Sequence, residues 1–134
     1  CVILAGYREE MQRMISSNPG LASRIQFTLE FPDYTREELS EILVRFAAKR
    51  GYTVDESARE RILDITEYFR TQPNFANART IRNILDQVIM NQNLRTEDSG
   101  DDSLIIRSDV EDYIMDENID LQKKTTQAGR IGFI

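Results

Sequence analysis

After Pro32-Asp33-Tyr34, apolar residues recur at helical spacing through most of the remaining chain, and this pattern restricts the fold more than any other feature. Leu39, Ile42, Leu43, Phe46 and Ala47 stand at i, i+3, i+4, i+7 and i+8, one stripe of an amphipathic helix. Ala58, Ile62, Ile65 and Phe69 mark a second stripe. Ile81, Ile84, Leu85 and Val88 mark a third, and Val110, Tyr113 and Ile114 a fourth. Each stripe needs a cover, and helices can cover one another. The punctuation agrees with this division. Thr35 and Glu38 have the spacing of a capping box. Gly51 suits a helix end, Asp55 a helix start, and Gln72-Pro73-Asn74 a stop. The third helix is expected to begin near Asn77. Ser108 and Glu111 read as a second capping box, opening the fourth.

Before the proline the period changes. Cys1-Val2-Ile3-Leu4-Ala5-Gly6 is a β-branched apolar run of the kind found in a buried parallel strand. Ile25-Gln26-Phe27-Thr28-Leu29-Glu30-Phe31 alternates apolar and polar residues, the clearest strand signal in the chain. Between them, Glu9–Ser16 reads as a helix with Met11, Met14 and Ile15 on one side, stopped by Asn18-Pro19-Gly20. Leu21-Ala22-Ser23-Arg24 reads as a turn or helical hook. Two parallel strands cannot stand alone, and a strand at the first residue is an unusual place for a terminus, so further sheet is expected upstream. The expected fold is therefore mainly α with a small β part: a strand-helix-strand unit in residues 1–31, a hinge at 32–35, a bundle of four helices over 36–121 and a tail at 122–134. Within it, Glu97–Ser103 reads as an acidic loop and Leu104-Ile105-Ile106 as a short extended piece.

Charge and composition exclude several functions. The 134 residues carry a net charge of −6. That argues against broad nucleic-acid binding, which needs a lysine and arginine surplus. A single cysteine forms no internal disulfide and fits a reducing cytoplasm. With no histidine, Ser-His and Cys-His catalysis and histidine-dependent zinc sites are out. No apolar run is long enough to span a bilayer. No phosphate loop of the form G-x-x-x-x-G-K-[ST] is present, and no strand ends in paired acids that could hold magnesium, so the chain alone is not expected to hydrolyse ATP.

Three arginines stand out by position. Arg24 lies in the turn before the alternating segment. Arg79 and Arg82 are three apart at the start of the third helix and share a face. Arginine at a helix start opposes the macrodipole unless an anion offsets it, and a phosphate there would also meet free N–H groups. The plainer alternative is a solvated charge in the loop and salt bridges on the helix. Spacing alone leaves both readings open.

The motifs V-I-L-A-G-Y (2–7), N-P-G-L-A-S-R (18–24), F-P-D-Y-T-R-E-E-L (31–39) and N-F-A-N-A-R-T-I-R-N (74–83), in that order, resemble AAA+ ATPases of the group containing stage V sporulation protein K, red-type Rubisco activase and the type VII secretion ATPase. The ending Arg130-Ile131-Gly132-Phe133 is similar to the tail of several members. The resemblance implies that residues 1–31 are the last strand-helix-strand of the α/β nucleotide-binding core and that 36–121 are its helical lid. It implies that Arg24 is an arginine finger acting on the ATP of a neighbouring subunit, and that Arg79, beside Asn77 and Ala78, is the sensor-2 arginine reaching the γ-phosphate. It implies a sensor-1 position near Tyr7, where members usually carry a small polar residue. Asp33 and Tyr34 would lie in the hinge near the adenine, and Arg82 in a salt bridge or subunit contact. It implies ATP and Mg2+ in a longer parent protein and none held by this chain alone. The parent would be a cytoplasmic ring, a hexamer, remodelling a protein partner, with no nucleic acid or membrane involved. A stand-alone helical adaptor that never meets ATP is the competing reading, supported by the missing phosphate loop.

Overall fold

The computed structural model describes residues 1–98 and 103–121. Part of the acidic loop and the tail from Gln122, with Arg130–Phe133, lie outside the described residues. The chain forms two compact units, Cys1–Asp33 and a second beginning at Tyr34.

In the first unit, α1 (Arg8–Ser17) is followed by the single turn α2 (Pro19–Ala22), with Pro19 at its start. The hook expected at 21–24 is this turn and its exit, where the Arg24 and Ile25 N–H groups donate to the carbonyl of Leu21. The segments 1–6 and 25–31, expected as strands, are not paired in a ladder. Their alternation is real, but a strand satisfies its N–H and C=O groups only against a neighbour, and no described strand adjoins them. Their large apolar residues are accordingly exposed, Phe27 at 86% and Phe31 at 92%.

The second unit is the four-helix assembly: α3 (Arg36–Lys49), α4 (Glu56–Arg70), α5 (Ala78–Thr96) and α6 (Arg107–Asp116). Leu39 and Leu43 of α3, Ile62 and Ile65 of α4, Ile81, Leu85 and Val88 of α5 and Val110 of α6 have no solvent exposure. The stripes read from the sequence thus meet in one core, joined by Leu63, Ile105 and Tyr113. Thr35 caps α3 with the expected box: its hydroxyl accepts from the Glu38 N–H (3.2 Å), and its own N–H donates to the Glu38 carboxylate (2.8 Å). Asp55 caps α4, accepting from the Ser57 N–H (3.2 Å).

Two helix ends show why the chain turns where it does. Gly51, at φ +80°, follows α3, with its N–H on the Ala48 carbonyl and the Tyr52 N–H on that of Ala47. Asn118, at φ 52°, repeats the arrangement after α6, with Asn118 N–H on Met115 and Ile119 N–H on Ile114. Both are left-handed terminations in which a residue past the helix turns back its last carbonyls.

The small β part is a parallel pair, β1 (Thr53–Val54) with β2 (Leu104–Ile105), in register Thr53 to Leu104. It ties the turn after α3 to the entry of α6. The start of α6 differs from expectation. The helix is capped at Ile106, not by a Ser108–Glu111 box. Asp109, fully buried, accepts from the Ile106 N–H (2.9 Å), so the helix begins directly after β2. Glu111 is instead drawn to Arg61 (2.8 Å) and Arg107 (3.2 Å).

Candidate functional site

The start of α5 is the most distinctive surface of the second unit. Asn77, the residue before the helix, holds φ 50° and ψ −118°, backbone space that glycine favours. Its side chain does not cap α5. Instead its Oδ1 accepts the N–H of Tyr34 (2.9 Å). The Tyr34 carbonyl accepts from Nη2 of Arg70 (2.8 Å). The Ala76 N–H donates to Thr80 Oγ1 (3.0 Å), tightening the first turn. Ala78 is half-buried, and Arg79 projects from this turn, exposed.

Arg79 makes no ion pair or side-chain hydrogen bond with any described residue, in a chain of net charge −6. The first turns of α3, α4 and α6 carry Glu37 and Glu38, Glu56 and Asp109, whereas the first turn of α5 carries no acid. Acidic residues are the favourable choice at a helix N-terminus. α5 therefore departs from the pattern of its three neighbours at the position where the sequence expects an anion.

Arg82 is expected in a salt bridge or a subunit contact. Its guanidinium sits 5.2 Å from the centroid of the Phe46 ring of α3. The expected salt bridge is absent among the described residues, because the nearest available face is aromatic and attracts a cation by its quadrupole.

In the first unit, Arg24 is exposed in the turn after α2, and its side chain likewise pairs with no described residue. Tyr7 is the residue before α1, 76% exposed. Asp33 closes this unit and is exposed; Tyr34, 44% exposed, opens the next.

Most other cations are spent on structure. Arg36 bridges Glu60 (2.9 Å) and Asp64 (3.0 Å), and Arg95 holds Asp109 (2.8 Å). Burial depresses the Arg36 guanidinium, but its two carboxylates outweigh this and raise its pKa further. Burial pushes the Tyr113 hydroxyl up, with Glu117 adding to the shift. No cluster of histidine, cysteine or carboxylate side chains suited to a metal occurs among the described residues. Two open depressions, one against α1 and one between α5 and α6, contain none of the candidate residues.

One contributor escapes sequence reading. Arg70 ends α4 with its guanidinium 5.0 Å from the Phe75 ring, paired with Glu67 (3.1 Å) and bonded to Tyr34. Its spacing to Glu67 signals a salt bridge, but nothing local signals Tyr34, 36 positions away.

The second unit is thus a four-helix assembly whose longest helix, α5, opens with an exposed arginine. Residues 35–128 match the family model described as AAA lid domain. The chain belongs to that family, and so to the AAA+ ATPases. Among curated proteins it is similar to protein CfxQ of Xanthobacter flavus, 48% identical over 99 residues, covering 74% of this chain and 31% of that protein. It is 47% identical over 91 residues to a CfxQ homolog of Galdieria sulphuraria, covering 68% of this chain and 30% of that protein. It is 44% identical over 101 residues to protein CbbX of Cereibacter sphaeroides, covering 74% and 33%. The chain thus spans about a third of the length of the curated relatives it matches. No described helix is long and apolar enough to cross a membrane.

Proposed function

We propose that this chain is the lid-bearing part of an AAA+ ATPase that couples ATP binding and hydrolysis to remodelling of a protein partner. Among the kinds of protein it resembles, relatives bearing the names CfxQ and CbbX favour the red-type Rubisco activase kind. Arg79 reads the γ-phosphate of its own subunit's ATP, with Mg2+ neutralising the rest of the phosphate charge. Arg24 acts on the ATP of a neighbouring subunit in a ring, and a guanidinium there offsets charge developing on the transferred phosphoryl group.

The observation that carries this reading is the unpaired Arg79 in an acid-free first turn. A cation that neither pairs nor packs, at a helix end where it opposes the dipole, is stabilised by an incoming anion. Arg24 shares the property of being unpaired in an acidic chain.

The test is ATP hydrolysis by the full-length protein with Arg24→Ala or Arg79→Ala, including mixtures with wild-type subunits. Loss of a finger arginine is expected to slow turnover by about a thousand-fold while ATP still binds. Arg24→Ala subunits are expected to poison wild-type assemblies. Normal hydrolysis by both variants would return the arginines to the surface and leave a helical adaptor as the better account.

A further inference from the structure

Tyr34 opens the second unit, and both of its backbone polar groups are held by side chains remote in sequence. Asn77 takes its N–H and Arg70 its carbonyl, from 43 and 36 positions away. Neither holder is loose. Arg70 donates to Glu67 through Nε (3.1 Å) and Nη2 (3.3 Å) and lies against Phe75. Asn77 sits in backbone space that costs a side-chain-bearing residue free energy. Glycine would relieve that cost, but glycine has no amide oxygen to offer Tyr34.

We propose that Asn77 and Arg70 are positioning residues forming a two-point latch, which fixes the strand of chain entering the lid to the first turn of α5. Arg79 is two residues from Asn77, so an anion drawing on Arg79 pulls on the same turn that holds Tyr34. The latch ties the Tyr34 backbone to the turn that carries Arg79, and its failure uncouples binding from turnover. This rests on the reading of Arg79 as the phosphate sensor.

The experiment uses the full-length protein with Asn77→Gly, which keeps the backbone conformation and removes the acceptor, and Asn77→Gln, which keeps a neutral amide acceptor without adding a charge beside Arg79. Arg70→Met keeps an unbranched side chain of similar reach and removes the donors, together with the guanidinium contact to Phe75. Arg79→Ala runs in parallel. A fluorescent ATP analogue reports binding, steady-state turnover reports coupling, and melting reports the fold. Asn77→Gly is expected to lower kcat by about tenfold, a barrier change of roughly 1.4 kcal/mol. Its affinity for the analogue and its melting temperature should stay close to wild type. Asn77→Gln should recover most of the loss, and Arg70→Met should lower kcat as Asn77→Gly does, with some loss of melting temperature from the broken Glu67 pair. If Asn77→Gly and Arg70→Met turn over like wild type while Arg79→Ala is impaired, the latch is overturned and the sensor stands. If Arg79→Ala is itself unimpaired, the sensor reading falls and takes the latch with it. A loss in Asn77→Gly that tracks lowered melting, without recovery in Asn77→Gln, overturns the latch in favour of a purely structural contact.

Discussion

Replacing Asp109 by alanine should unfasten α6 from α5 and β2. The carboxylate has no solvent exposure. It accepts the Ile106 N–H at 2.9 Å and a fork from Arg95, Nε at 2.8 Å and Nη2 at 3.2 Å. Arg95 Nη2 also reaches the Leu104 carbonyl (3.1 Å), so one pair joins three elements. Losing the cap costs about 1 kcal/mol. Charge-assisted bonds are worth about 1.5–3 kcal/mol, but the Arg95 side chain is 31% exposed and can rehydrate, which favours the lower end. The sum is about 2–3 kcal/mol. For a unit of this size that lowers Tm by roughly 10–20 °C. Urea unfolding followed by far-ultraviolet circular dichroism measures it. The Arg95→Ala and double variants close the cycle, with an expected coupling of about 1–2 kcal/mol. Additivity within about 0.5 kcal/mol would refute the argument, because the two residues would then act independently.

Leu43→Ala, at a position with no exposure in the core, should destabilise the unit by about 2–5 kcal/mol, read from the urea midpoint at unchanged slope. Burial works against the charge on Glu111, but Arg61 and then Arg107 outweigh it and hold its carboxyl below the ordinary value of 4.5. A depressed folded pKa gives stability that is present above pH 4.5 and is lost as pH falls below it through the folded value. Because Glu111 is 35% exposed the gain is small, about 0.5–1 kcal/mol, and Glu111→Gln should flatten that part of the stability–pH curve. Arg79→Glu should stabilise the lid by about 0.3–1 kcal/mol, seen by melting, and on the proposed function should abolish ATP turnover by the full-length protein.

The helices of the second unit were legible because each buries a stripe whose period survives in the sequence. Leu39, Leu43 and Ala47, or Ile81, Ile84, Leu85 and Val88, announce the face they bury. Capping by Thr35 and Asp55 was legible for the same reason, since cap and partner lie within three residues. What failed was non-local. The alternation in 25–31 describes a strand that needs a neighbour, and pairing cannot be read from one segment. Thr53–Val54 is too short for any period, and its partner lies about fifty positions on. Ser108 and Glu111 have capping-box spacing, yet buried Asp109 and its Arg95 partner start α6 two residues earlier. Arg79 could be singled out from the sequence, but Arg70 could not, because its role depends on a carbonyl 36 positions away.

Most described arginines are held by a partner; Arg24, Arg59 and Arg79 are the exceptions among the described residues, and of these Arg59 has its Nε buried while Arg24 and Arg79 are exposed. Arg36, Arg50, Arg61, Arg70, Arg95 and Arg107 each meet a carboxylate, and Arg82 meets an aromatic ring. In a chain with 23 acidic residues, pairing is the easy outcome for an arginine. Arg79 avoids it because the first turn of α5 offers no acid, although acids open the other three helices of the unit. An acid there would stabilise the helix and would also neutralise the arginine. Omitting it costs the lid a few tenths of a kcal/mol to about 1 kcal/mol and leaves a cation able to answer an anion. The phosphate role proposed for Arg79 would account for this departure, since functional sites are where sequences depart from the choices that would best stabilise the fold.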